Sequence, residues 1–74
     1  MSVQELKSAA AAVAREMASG TMTPALRARF IALRAELFQR GIFDPVLARF
    51  DSATVAPVTP AEAGAELLKV ADAL

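Results

Sequence analysis

Three carboxylates and one ammonium, Glu62, Glu66, Lys69 and Asp72, follow one another at intervals of three or four residues late in this 74-residue chain. Four guanidiniums, Arg27, Arg29, Arg34 and Arg40, share a single segment near its middle. The carboxylates are the only groups here of a kind that performs general acid–base chemistry in pairs, and that chemistry needs a cleft to desolvate one member. Glu62 and Glu66 stand instead at a helix start, where negative charge complements the helix dipole and solvent is close. The arginines are of the kind that holds phosphates. Cys, His, Tyr and Trp are all absent. That removes thiolate and imidazole nucleophiles, disulfides and the usual zinc ligands. No GxGxxG or P-loop cradles a nucleotide. Enzyme activity, a cofactor and a metal site are therefore not expected.

The charge balance narrows partners further. Eight basic residues offset eight acidic ones, so no global field draws the chain to nucleic acid or to an anionic membrane. The hydrophobic fraction is 55% and mean hydropathy is +0.41, much of it from alanine. A chain this short buries a modest core and relies on regular helix packing, self-association or both once disulfides and metals are gone. Near-zero net charge also favours association. The run from Ser8 to Ala14 is too short, and too closely flanked by Glu5, Arg15 and Glu16, to be a signal-peptide core. No run reaches the roughly 20 apolar residues that span a bilayer. A cytoplasmic, non-membrane protein is expected.

The elements that must position these groups are marked by their ends. Ser2 and Glu5 form a capping box that opens helix 1, expected over about 3–18 and stopped by Ser19-Gly20. Val3, Leu6, Ala10, Val13 and Met17 share one face of it. Thr23-Pro24 opens helix 2 with a cap and a preorganised first residue. That helix is expected over about 24–40, with Gly41 as a left-handed terminator and Ile42 folded back onto Leu37. Asp44-Pro45 restarts a short helix at about 45–50, and an extended connection is expected over 51–58. Thr59 and Glu62 form a second capping box for helix 4, about 60–73, whose apolar row is Ala63, Leu67, Val70 and Leu74 with Leu68 beside it. Gly64 inside this helix costs about 1 kcal/mol relative to Ala, which points to close backbone contact with the alanine face of helix 1.

Helix 2 is the informative element. Leu26, Phe30, Leu33 and Leu37 form one tight stripe, while Ile31 and Phe38, seven apart, form a second some 100° away. Ala28 and Ala35 flank the second stripe, and Arg27 and Arg34 divide the two. A surface helix needs one apolar face, and this one has two. Either it is central, with the 42–50 corner on its second stripe, or Arg27, Ile31, Arg34 and Phe38 form an interface. The simplest such interface is an antiparallel self-pairing about a two-fold axis. Helix 2 carries a net charge of +3 and helix 4 a net of −2; these read as solvated faces, with the alternative that the two helices lie side by side and Arg27 or Arg34 meets Glu62 or Glu66.

Other functions fit less well. Helix 2, the Gly41 turn and the short third helix follow a helix-turn-helix outline, but Val46-Leu47-Ala48-Arg49-Phe50 offers base edges one polar side chain where several are needed. Asp51-Ser52 resembles, over two residues, the phosphopantetheine attachment motif of acyl carrier proteins. In that family the serine opens a long acidic helix; here Ala53-Thr54-Val55-Ala56-Pro57 follows, so Ser52 reads as a loop residue. Two apolar stripes suit sandwiching better than lying on lipid.

The sequence thus predicts a single all-α domain over 1–74: a bundle of three main helices and one short one, with helix 2 at its centre. At least three of the four phenylalanines are expected in one cluster, with Phe43 buried as a corner plug. The expected function is protein–protein interaction or assembly, through homo-oligomerisation or another protein, with a helix-turn-helix DNA-associated regulator as the alternative.

Overall fold

The computed structural model describes residues 2–50 and 58–74, and among these it contains four helices and no strand. They are α1 (Val3–Met17), α2 (Pro24–Gln39), α3 (Pro45–Arg49) and α4 (Pro60–Asp72). The bundle of three main helices and one short one is as the sequence predicts. The connection read as extended over 51–58, with Asp51 and Ser52, lies outside the described residues except at Val58.

Each helix begins where its cap dictates. The Glu5 amide donates to the Ser2 hydroxyl at 3.1 Å and the Ser2 amide donates back to the Glu5 carboxylate at 3.4 Å. Hydrogen bonding to the Ser2 side chain, and then to the Ser2 amide, holds the Glu5 carboxyl below its ordinary value. Thr23 accepts from the Leu26 amide at 3.1 Å, and Asp44 accepts from the amides of Val46 and Leu47 at 2.9 and 3.1 Å. Thr59 and Glu62 repeat the capping box at α4.

The end of α2 is a Schellman motif. Gly41 sits at φ +81°, its amide donates to the Phe38 carbonyl, and the Ile42 amide donates to the Leu37 carbonyl, both at 3.0 Å. Ile42 folds back against the core, as expected.

Leu6, Val13 and Met17 of α1, Phe30 and Leu37 of α2, Leu47 of α3 and Leu67 of α4 are the large, fully enclosed side chains at the centre. Val3, expected on the inner face of α1, is exposed at that helix's first position. Leu68 is exposed as well.

Two expectations are corrected. The first concerns the middle of the bundle, which is α1 rather than α2. The α1–α4 interface is the largest, α1 also packs on α2, and α3 packs on α4. The reason is size. A side chain at Gly64 would put its Cβ 2.9 Å from the Met17 Cβ and 3.1 Å from the Ala14 carbonyl oxygen. Glycine on one helix and alanine on the other let two backbones meet at a distance no larger residue permits. The close contact foreseen from Gly64 makes α1 and α4 the main pair.

The second correction concerns the phenylalanines. Phe30 and Phe50 share the core, with ring centroids 4.8 Å apart in an edge-to-face arrangement. Phe38 and Phe43 stack on each other elsewhere, 5.3 Å apart, and Phe43 is 72% exposed. Once the Schellman motif directs Ile42 inward, the next side chain in a non-helical run faces the other way. One of the two neighbours plugs the core, and it is Ile42.

Candidate apolar face on the second helix

The two stripes of α2 meet unlike surroundings. Leu26, Phe30, Leu33 and Leu37 are buried, whereas Ala28, Ile31 and Ala35 are exposed and Phe38 is half-buried. Ile31 is 38% exposed. Phe38 gains cover from Phe43, which leaves the Phe43 ring on the outside as an extension of the same strip. The strip therefore runs along the helix from Ala28 through Ile31 and Ala35 to Phe38, and past the helix end to Phe43.

Of the four residues expected at an interface, Ile31 and Phe38 lie on this face and Arg27 is exposed at its N-terminal end. Arg34 faces its own chain. Its Nη1 donates to the Leu47 carbonyl at 3.1 Å and to the Phe50 carbonyl at 3.0 Å, and its guanidinium lies 5.9 Å from the centroid of the Phe30 ring. A short helix leaves its last carbonyls without intrahelical donors, and a cation there also complements the helix dipole. Arg34 is thus the tie that holds the end of α3 against α2.

The alternative pairing of Arg34 with Glu62 or Glu66 is replaced by these carbonyl bonds. Other arginines make ion pairs: Arg29 reaches Glu16 of α1 at 2.7 Å, as befits α1 being the neighbour of α2, and Arg40 reaches Glu36 within α2 at 3.4 Å. Arg29 and Glu16 are each about half exposed, so that pair adds at most about 1 kcal/mol.

Phe43 is the member of this face that sequence reasoning missed. The signal was present in the Gly41 terminator, because a Schellman stop brings back a single apolar residue and leaves the following one free to point out.

The acidic groups form an open groove of about 550 Å³ between α3 and α4, lined by Val46, Glu62, Glu66, Leu68, Lys69 and Asp72 among others. Hydrogen bonding to Asp44, ahead of burial and charge repulsion, raises the Glu66 carboxyl above its ordinary value. A raised carboxyl stabilises the fold fully below its unfolded pKa and loses that contribution as pH rises through its folded pKa. Among the described residues no three carboxylates, histidines or cysteines gather as a metal cage would require. A second groove, of about 420 Å³, lies over the alanines of α1 and α4 beside Arg15 and Leu68.

No helix of the described residues is long and apolar enough to cross a membrane. No protein-family model, curated protein or solved structure matches the chain.

Proposed function

We propose that this chain is a small, non-enzymatic interaction or assembly module that meets its partner through the outer face of α2. The observation that carries the reading is Phe43, 72% exposed and stacked on Phe38, which shares a helix face with Ile31. Single apolar residues on a surface need no explanation, but two phenylalanines and an isoleucine in one strip, edged by alanines, mark a surface suited to covering. Aromatic side chains at such a place are typical anchors of protein interfaces. The strip carries no charge, which matches a protein surface rather than a phosphate backbone.

The helix-turn-helix alternative draws less support. α3 has five residues and turns Ala48 and Arg49 outward, so a recognition helix there would offer one polar side chain. Arg34, the nearest cation on α2, is engaged with the α3 carbonyls.

The test is the double variant Ile31→Asp/Phe38→Asp, followed by circular dichroism through a denaturant titration. The expected result is a folded, cooperative protein with a midpoint near that of the parent in dilute solution. An unfolded variant would place both side chains in the core and remove the interaction reading.

A further inference from the structure

The exposed face has a spacing and a size pattern of its own. Ala28, Ile31, Ala35 and Phe38 are separated by three, four and three residues, the interval at which one helix presents a straight seam to another. Along that seam small and large side chains alternate. Reversing the direction of a second identical helix about a two-fold axis level with Leu33 brings residues whose numbers sum to 66 opposite each other. Ala28 then faces the partner's Phe38, and Ile31 faces the partner's Ala35. Every large side chain meets an alanine, and no two large ones collide.

Building on the reading of this face as an interaction surface, we infer that its occupant is a second copy of the chain, paired antiparallel through α2 in this register. A seam of alternating sizes is self-complementary only in the antiparallel sense. In a parallel pair Phe38 would meet Phe38, and alanine would meet alanine across a gap. Phe43, resting on Phe38, carries the apolar strip beyond the helix end and over the first turn of the partner's α2.

The seam itself is uncharged and the chain is formally neutral. But α2 with its cap Arg40 carries a net charge of +3, so pairing two copies through it brings like charges near each other, and the dimer should tighten as salt rises. Arg34 borders the seam with its guanidinium drawn to the Leu47 and Phe50 carbonyls. About three helical turns with three large side chains give an interface at the small end of the range, below about 1,200 Å² in total, where association is weak and concentration-dependent.

Sedimentation velocity of the full chain over a dilution series tests the inference, with four variants beside the parent. The parent is expected to pass from monomer to dimer as concentration rises. Ile31→Asp/Phe38→Asp should raise the dissociation constant by at least about 30-fold. Ala35→Ile sets large against large and should weaken the dimer, as should Ile31→Ala, which sets small against small. The exchange Ile31→Ala with Ala35→Ile restores large against small and should recover most of the parent's affinity. The chain has no cysteine to confuse the masses. A parent that stays monomeric at the highest concentration overturns the self-pairing, and so does a dimer that the two aspartates leave intact. A dimer weakened by both single changes and not recovered by the exchange overturns the register. These results are separable from the broader reading, which fails only if the aspartate variant unfolds.

Discussion

Phe30 and Phe50 lie in the core, one ring edge-on to the other at 4.8 Å, with almost no surface left to solvent. Phe38 of α2 and Phe43, just past that helix's end, make a pair of similar closeness, 5.3 Å, on the outside. The four residues span only 21 positions, and composition does not distinguish them. Helix phase does. Phe38 follows Phe30 by eight residues, which is two turns plus a rotation of about 80°. That rotation carries a side chain from the enclosed face to one where Phe38 is half-buried and meets the exposed ring of Phe43. The inner pair is enclosed in the core, and the outer pair leaves Phe43 at the surface.

The sharpest way to break this contrast is Phe30→Ala. The ring is fully enclosed among α1, α2 and the end of α3, so its loss should cost about 3–5 kcal/mol. Chains of this size have little stability beyond that. The variant is expected to be largely unfolded at room temperature by circular dichroism.

Arg34→Met probes the border between the two faces. It keeps the apolar stem and removes the donor shared by the Leu47 and Phe50 carbonyls. Water can reach those carbonyls in part, so the expected loss is about 1–2 kcal/mol in a denaturant titration. Proton exchange at the α3 amides should quicken more than at α1.

Phe43→Ala should have the smallest effect on folding, about 1 kcal/mol or less, since it removes one stacking contact from an exposed ring. A loss near that of Phe30→Ala would move Phe43 into the core and erase the contrast.

The helices were legible because their ends are local chemistry. Ser2 with Glu5, Thr23 with Pro24, Asp44 with Pro45 and Thr59 with Glu62 each declare a start within four residues. Gly41 followed by Ile42 declares a stop in the same way. Gly64 was legible too, since a helical glycine is costly unless a backbone comes close. The two stripes of α2 were readable from spacing alone.

What was not readable is which stripe finds cover. Gly64 announced that α1 and α4 come close, but not that this contact, at Ala14 and Met17, would make α1 rather than α2 the middle helix. Once those two helices pair, α2 is a flank of the bundle and its second stripe remains outside. Arg34 was placed between the two stripes, and what it binds there, the Leu47 and Phe50 carbonyls, was not foreseen. Its carbonyl acceptors belong to backbone, which carries no residue-specific sign.

The contrast can be watched directly in the aromatic region of a proton NMR spectrum, because the four phenylalanines are the only aromatic rings in the chain. Assigned ring signals followed on dilution from millimolar to low micromolar concentration separate the two pairs. Shifts of Phe38 and Phe43 that move with concentration, beside fixed shifts of Phe30 and Phe50, are the predicted result. Four sets of ring signals that all stay still, or movement confined to Phe30 and Phe50, would contradict it.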